Sequence, residues 1–286
     1  MVMMEAHTLS KIEAYAQYLA QEERSCATIE KYLRDAKVFL SWLGDRPLDK
    51  LVMLAYKESL MEKYAAVSVN SMLAAVNGYL KFINRPECTV KSLKTQRRLF
   101  CPKERELTKA EYLRLVEASK RQGNMRLSMV MQTICATGIR VSELEFITVD
   151  AVHTGRSDVR CKGKQRTVFL PRQLCHQLAQ YKKDQGIVAG PIFVTKGGRP
   201  MDRSNIWAEM KRLCKEAGVA ESKVFPHNLR HLFARTFYSV EKDIIQLADL
   251  LGHSSIETTR IYMISTGSEH MRKIDRMGLI LQPEGA

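Results

Sequence analysis

The stretch Ala136-Thr137-Gly138-Ile139-Arg140-Val141-Ser142-Glu143-Leu144 decides how this sequence is interpreted. A glycine after a helical segment commonly ends that helix, and Ser142 can cap the next one, so Arg140 is predicted to lie in a turn between two helices. Backbone amides at a helix start, beside a guanidinium, can hold a phosphate group. The alternative is an ordinary helical corner with an arginine at the surface, and this motif alone does not separate the two.

Next along the chain comes a predicted β hairpin with a basic tip. The segments from Val149 to Val152, Val159 to Cys161 and Val168 to Leu170 have the character of three short strands. The last two are joined by the tip Lys162-Gly163-Lys164-Gln165-Arg166. Lysine and arginine side chains at such a tip can reach a DNA groove or a phosphate, and a lysine ammonium can also donate a proton. The alternative is a hairpin tip that is only solvated.

Histidines accompany the second arginine of interest. His227-Asn228-Leu229-Arg230-His231 follows Pro226, so a helix start is predicted there, with His227 and Arg230 on one helical face. The spacing of His227 and His231 also suits two zinc ligands, but Asn228 stands where such a motif has glutamate, and no third ligand suggests itself. No metal site is therefore predicted, and His231 is interpreted as structural. Two further candidates are His253, in Leu-Gly-His, and Tyr262 nine residues later.

The rest of the chain is predicted to be mainly helical, in two domains. Apolar residues at helical spacing predict a bundle of about four helices over residues 1–84, and Thr28 is the predicted start of one of them. Residues 85–106 are interpreted as a basic interdomain linker. A capping box of Thr108 and Glu111 opens the second domain, residues 107–286, which is mostly helical with a small three-stranded sheet.

Composition points to a polyanionic partner. The 286 residues contain 45 Lys and Arg against 31 Asp and Glu, a net charge of +14. Residues 1–84 are neutral, whereas residues 85–105 hold seven bases against two acids. Such a distribution suits nucleic acid, although a solvated surface is the alternative. The linker bases predicted to contact DNA are Lys94, Arg97, Arg98 and Lys103.

Other features exclude several classes of protein. No stretch has the length and apolar content of a membrane span, and the N-terminal residues lack the pattern of a secretory signal. Seven cysteines without a CxxC pair argue against a disulfide framework, so a reducing cytoplasm is the expected location.

Taken together and in this order, the motifs resemble the tyrosine recombinase (phage integrase) family in its Xer-like, two-domain form. The resemblance rests on the arginine in ATGIRVSEL, the hairpin lysine, HNLRH, LGHSS and the final tyrosine, and it covers nearly the whole chain. It implies a helical, SAM-like core-binding domain followed by a mixed α/β catalytic domain. It also implies a site-specific recombinase that cuts and rejoins DNA through a 3′-phosphotyrosyl intermediate.

The resemblance implies a phosphate-binding set. Arg140 and Arg230 would clamp the non-bridging oxygens of the scissile phosphate, and His253 would hydrogen-bond it. Glu143 and His231 would support the site without reacting. Two guanidiniums suit this task because negative charge gathers on those oxygens when the phosphorus is attacked.

It implies a proton-transfer set as well. Tyr262 would be the nucleophile, His227 would assist proton transfer there, and Lys162 would protonate the leaving 5′ oxygen. Because the tip Lys-Gly-Lys-Gln-Arg is one residue shorter than the family's frequent form, Lys164 is a second candidate acid, while Lys164 and Arg166 are also predicted DNA contacts. The phosphotyrosyl bond conserves energy, so no cofactor, ATP or metal is expected.

The implied partner is double-stranded DNA with short inverted core sites, bound by four protomers on two sites. A predicted helix from Ser268 to Leu281, with an apolar stripe, would link the protomers or pack on its own domain. Three other classes stay open: a type IB topoisomerase, a catalytically silent DNA-binding protein and a metal-dependent nuclease. The element that encodes the protein and the outcome of recombination (integration, excision, inversion or dimer resolution) are not predicted.

Overall fold

The computed structural model describes residues 2–94, 105–161, 164–195, 197–263 and 275–277, with the backbone alone at residues 2–10, 161, 164 and 263. The chain divides into two compact units, Met1–Arg97 and Arg98–Ala286. Within the described ranges, no helix combines the length with the apolar content that a membrane crossing requires.

The first unit is a bundle of four helices, as predicted. They are α1 (Val2–Gln21), α2 (Cys26–Leu43), α3 (Lys50–Lys63) and α4 (Ala66–Phe82). Helix α2 begins two residues before the predicted start at Thr28, directly after Ser25. Phe39, Tyr56 and Leu73 are fully buried between the helices, because the apolar positions of each helix recur on one face.

The chain that follows the bundle folds back onto it. After a 3₁₀ turn at Pro86–Cys88, two asparagines of α4 pair with the backbone of this segment. Asn77 exchanges hydrogen bonds with Val90, at 2.8 and 3.0 Å, and Asn70 does the same with Leu93, at 3.0 and 2.7 Å. The first part of the segment predicted as linker is therefore packed against the first unit.

The second unit is mostly helical with one hairpin. The predicted capping box is present: the Thr108 hydroxyl accepts from the Glu111 amide at 3.2 Å, and the Glu111 carboxylate accepts from the Thr108 amide at 2.8 Å. Its elements are α5 (Lys109–Arg121), α6 (Met125–Thr137), a 3₁₀ stretch (Val141–Phe146), α7 (Val149–Thr154), β1 (Arg156–Cys161), β2 (Lys164–Phe169), α8 (Arg172–Asp184), α9 (Arg203–Arg212), α10 (Cys214–Ala217), α11 (Pro226–Glu241), α12 (Ile244–Leu251), α13 (Ile256–Arg260) and a 3₁₀ turn (Ile261–Met263).

Helix α6 is the centre of this unit. It packs against α5, α8 and α11, and buries side chains on most of its circumference, among them Leu127, Met131 and Ile134. A helix that is apolar all round is stable only when other elements surround it. The end of α6, where the stretch from Ala136 to Leu144 begins, therefore lies deep in the unit.

The predicted three-stranded sheet is wrong in one strand. Over the described residues the sheet is the antiparallel pair β1 and β2, and the first predicted strand, Val149 to Val152, is part of helix α7. The Thr148 hydroxyl caps this helix by accepting from the Ala151 amide at 3.1 Å. Valines three apart then face the core together, and this helical burial outweighs the strand preference of a β-branched run.

Candidate active site

Arg230, in the first turns of α11, is a fully buried charged group of the site. It is 1% exposed, and its guanidinium is held by the backbone. Nη1 donates to the carbonyl of Gly138, and Nη2 donates to the carbonyl of Leu251 at 2.7 Å. Burial, and next the charge of Arg140, lower the pKa of Arg230 to about 10, although the nearby Tyr262 hydroxyl acts in the opposite direction. The group is still a cation at neutral pH.

Two glycines place these carbonyls. Helix α6 ends at Gly138, with φ of 65°, and α12 ends at Gly252, with φ of 63°, a left-handed conformation that side chains disfavour. A Cβ atom at Gly138 would lie 2.5 Å from the ring of Phe233 and 2.9 Å from Leu251. The end of α6 can thus lie this close to Phe233 of α11 and to Leu251 only because residue 138 is glycine.

Arg140 follows Gly138 and lies before the 3₁₀ stretch, as part of the predicted turn. Ser142 is inside this stretch and does not cap it; instead the Glu143 carboxylate accepts from the Arg140 amide at 2.9 Å and from Arg140 Nη1 at 2.8 Å. The Arg140 side chain is 36% exposed, whereas that of Glu143 is 1% exposed. The backbone amide and Nη1 of Arg140 are therefore held by Glu143, while part of its guanidinium is accessible.

Glu143 has a second arginine partner, Arg166 on β2. Arg166 Nη1 and Nη2 donate to the two carboxylate oxygens at 3.1 and 2.9 Å. Burial acts to raise the pKa of Glu143, but the hydrogen bonds from Arg166 and Arg140 outweigh it, and the pKa lies below its ordinary value. Arg166, a predicted DNA contact, is thus engaged with a buried carboxylate.

Tyr262 lies in the 3₁₀ turn after α13 and is 4% exposed. Three histidines surround its ring: the centroid of His231 is 4.4 Å away, that of His253 is 5.5 Å away with the planes 6° apart, and that of His227 is 5.9 Å away. The Tyr262 hydroxyl is 3.4 Å from His227 Nε2. The structure thus brings Arg140, Arg230 and Tyr262 together with all three predicted histidines.

The hydrogen bonds of His253 define its protonation. Arg230 Nη2 lies 2.9 Å from His253 Nε2, and because a guanidinium only donates, Nε2 must accept. The proton is then on Nδ1, which lies 2.9 Å from the hydroxyl of Thr259. Burial, followed by the charges of Arg230 and Arg140, lowers the pKa of His253 to about 4. The ring is neutral at neutral pH.

The other two histidines are also poor at holding a proton. Burial, and then His227 and Arg230, lower the pKa of His231 to about 4. Desolvation, followed by the charge of Arg230, lowers the pKa of His227 as well. A neutral His227 beside the Tyr262 hydroxyl is able to accept its proton. In the described part of the chain, no three His, Cys, Asp or Glu side chains are grouped as metal ligands.

A cleft of about 720 Å³ opens beside Arg140 and His253. Its walls include Arg140, Glu143, Arg166, Gly252 and His253. Two carboxylates also line the cleft, Glu143 and Asp249, but Glu143 is engaged with both arginines, so the cationic and neutral hydrogen-bonding groups suit the cleft to a phosphodiester.

The remaining predicted site residues are placed only in part. Lys162 lies outside the described residues; Lys164 begins β2, with its backbone alone described. Lys94 is exposed at the end of the described part of the first unit. The other linker bases, Arg97, Arg98 and Lys103, and nearly all of the predicted tail helix, also lie outside the described residues.

Sequence reasoning missed two partners. The strand pattern carries a signal for Arg166: it shares a face with Val168, which is buried, so an inward-facing cation needing a carboxylate could have been expected. Thr259, fully buried six residues after His253, has no such signal, because a hydroxyl in a helical turn is common.

Comparison with known proteins identifies the family of the chain. Residues 105–269 match the model of the phage integrase family, and residues 12–86 match that of the phage integrase N-terminal SAM-like domain. Tyrosine recombinase XerA of Thermococcus kodakarensis is 30% identical over 281 residues, covering 95% of this chain and 96% of the relative. Tyrosine recombinase XerC of Roseiflexus castenholzii is 29% identical, with 88% of each covered.

Solved structures share the fold. A lambda integrase fragment, crystallised as a dimer bound to a core site, superposes with a TM-score of 0.72 at 19% identity, over 88% of this chain and 94% of that one. XerH bound to its difH substrate gives 0.68 at 18% identity, over 93% and 84%. With both halves matched and the relatives aligned almost end to end, the chain belongs to the phage integrase family and is an Xer-like tyrosine site-specific recombinase.

Proposed function

We propose that Tyr262 is the nucleophile of this recombinase and that Arg140 and Arg230 bind the scissile phosphate. The observation that carries the proposal is the surroundings of the Tyr262 hydroxyl, which lies 3.4 Å from His227 Nε2, while the Tyr262 ring is stacked on that of His253, the hydrogen-bond partner of the buried Arg230 guanidinium. A phosphate in the cleft would lie against Arg140 and His253, next to this tyrosine.

The reaction follows from these groups. The Tyr262 oxygen attacks the phosphorus as its proton passes to neutral His227, and the bond from phosphorus to the 5′ oxygen breaks. A 3′-phosphotyrosyl link and a free 5′ hydroxyl result, and a 5′ hydroxyl from another strand can reverse the step. The arginines stabilise the charge on the non-bridging oxygens. His253 can donate to the phosphate once its contact with Arg230 is displaced and its ring takes the other tautomer, with the proton on Nε2 and the Thr259 hydroxyl donating to Nδ1.

The leaving 5′ oxygen needs a proton, which we assign to a lysine of the hairpin tip. Lys162 is the first candidate, and Lys164 is the second because the tip is short. General acid catalysis of this kind contributes about 10²–10⁴ in rate.

The substrate we propose is a DNA duplex with short inverted core sites, bound by a tetramer of this chain on two sites. The net charge of +14 supports a polyanionic partner. Among structures of the same fold are lambda integrase bound to a core site and a lambda integrase tetramer bound to a Holliday junction. We place this activity in the cytoplasm of a bacterium or of the host of a mobile element, where its free thiols stay reduced.

The test uses a labelled, nicked duplex that traps covalent intermediates. Tyr262→Phe should bind it like wild type and form no adduct, because the change removes one hydroxyl and leaves the arginines in place. Tyr238→Phe, a partly buried tyrosine of α11, serves as the matched control and should form the adduct at the wild-type rate. Adducts formed by Tyr262→Phe would show that another residue is the nucleophile.

A further inference from the structure

Arg166 makes contacts that the proposed roles leave unexplained. Its side chain is 12% exposed, and both terminal nitrogens bond the Glu143 carboxylate. We propose that Arg166 is a positioning residue of the phosphate clamp, which orients Glu143 and, through it, the guanidinium of Arg140. The inference rests on the proposed function, since it takes Arg140 to bind the scissile phosphate.

The first step is the sharing of one carboxylate by two arginines. Glu143 Oε1 accepts from Arg140 Nη1 at 2.8 Å and from Arg166 Nη1 at 3.1 Å, while Oε2 accepts from the Arg140 amide and from Arg166 Nη2, both at 2.9 Å. Four donors fix the carboxylate in one plane. A buried carboxylate also needs compensating positive charge, and Arg166 supplies part of it.

The second step is what Arg140 would do without Arg166. The buried carboxylate would then be left with Arg140 as its remaining cationic contact, free to rotate and draw that guanidinium inward, or to take up a proton. Either change alters the orientation of Arg140, whose side chain is now 36% exposed with Nη2 3.5 Å from the carbonyl of Gly252. A displacement of about 1 Å in a positioned group can cost about 10²-fold in rate.

The third step is the fit of the Arg166 side chain itself. A Cβ atom at Gly252 would clash with Arg166 Cδ and lie 3.1 Å from Nε, so the side chain lies directly against this glycine. Gly252 immediately precedes His253. Arg166 is therefore confined between the segment that holds Arg140 and the one that holds His253.

Direct contact with DNA is the competing role for Arg166. The geometry favours positioning, because each terminal nitrogen gives one N–H to Glu143, the side chain is 12% exposed, and Nε is buried with no hydrogen-bond partner. The second N–H of each terminal nitrogen is left for a phosphate, so the test below is designed to separate the two roles.

The test compares cleavage of three scissile linkages in a nicked duplex. One is the natural phosphate; the second is a methylphosphonate, which has no negative charge and so depends less on arginines. The third has sulfur at the 5′-bridging position, which leaves without a proton and so depends less on the general acid. The test variants are Arg166→Gln and Arg166→Lys. Arg140→Gln shows the effect of losing the phosphate clamp, and Lys162→Ala and Lys164→Ala show the effect of losing the general acid. Arg156→Gln, at an exposed arginine of the same hairpin, is the control.

Arg166→Gln should cleave the natural phosphate about 10- to 100-fold more slowly, the range found when a group that orients a site residue is removed. Duplex binding and its salt dependence should match wild type. The loss should shrink with methylphosphonate, as for Arg140→Gln, and persist with the sulfur substrate. Arg166→Lys should recover part of the rate, and Glu143→Gln should add little to Arg166→Gln, because both act through one contact. Arg156→Gln should cleave like wild type.

Four results would overturn the inference. Rescue by the sulfur substrate would mean that Arg166 acts through the hairpin acid. A salt slope reduced by about one would mean that it contacts a DNA phosphate. Equal losses on all three linkages in both Arg166 variants, with a lower melting temperature, would mean a structural role alone. If Arg166→Gln cleaves normally while Arg140→Gln is inactive, this inference fails and the proposed function stands. If Arg140→Gln itself cleaves at the wild-type rate, the proposed function fails.

Discussion

Gly138→Ala tests whether the helix end beneath Arg230 is as tightly packed as the structure indicates. Two costs add at this position. A non-glycine residue at φ of 65° costs roughly 1–2 kcal/mol, and a Cβ only 2.5 Å from Phe233 and 2.9 Å from Leu251 adds an overpacking cost of about 1–3 kcal/mol. The free energy of unfolding of the second unit should therefore fall by about 2–5 kcal/mol.

Gly123→Ala is the matched control for the first of these costs. Gly123 has φ of 70°, but a Cβ there would meet nothing within 4 Å. Only the backbone cost applies, so a loss of about 1–2 kcal/mol is expected. The difference between the two variants measures the packing at Gly138.

Urea denaturation followed by tryptophan fluorescence can report on the second unit alone. The chain has two tryptophans, Trp42 in the first unit and Trp207 in the second, so a Trp42→Phe background leaves Trp207 as the probe. Trp207 donates to the carbonyl of Val224 at 3.2 Å and will report the loss of this contact. Equal destabilisation by Gly138→Ala and Gly123→Ala would refute the packing argument.

Two further predictions concern the histidines. Thr259→Val should lower DNA cleavage about 5-fold with little change in binding, because it removes the hydroxyl that hydrogen-bonds His253 Nδ1 and orients the ring, a hydrogen bond worth about 1 kcal/mol. Thr259→Ser should restore the rate, and an undiminished rate for the valine variant would contradict this role. The free energy of unfolding should fall as the pH drops from 7 to 5, because His231 and His253 have folded-state pKa values of about 4, below the ordinary 6.5, so the unfolded chain takes up protons first. Each histidine contributes at most about 2 kcal/mol over this range. When the free energy of unfolding is measured by denaturation at pH 7 and pH 5, His253→Gln should lose less of it than wild type does. A loss equal to that of wild type would exclude His253 as a source.

The helices of both units could be predicted because their apolar residues repeat at helical spacing, and the site residues because their motifs occur in one order along the chain. The wrong strand at Val149 to Val152 has a local cause: a short β-branched run fits either structure, and the Thr148 cap together with burial on one helical face decided it.

The pairing of Arg166 with Glu143 could not be read from the motifs for a different reason. The two residues are 23 positions apart, and their contact depends on how β2 packs beside the turn after α6. The position of Arg166 in the alternating strand pattern indicated burial, but not which carboxylate it would meet. Contacts of this kind are set by tertiary packing, whereas spacing reports only local structure.

The anchoring of Arg230 by the carbonyls of Gly138 and Leu251 bears on how such an enzyme can change its target DNA during evolution. A side chain held by main-chain oxygens keeps its partners whatever side chains the neighbouring positions acquire, provided that the helix ends stay in place. Laboratory selections for new target sequences can therefore vary surface residues widely while the reacting centre stays intact. They should spare the glycines that shape the two helix ends.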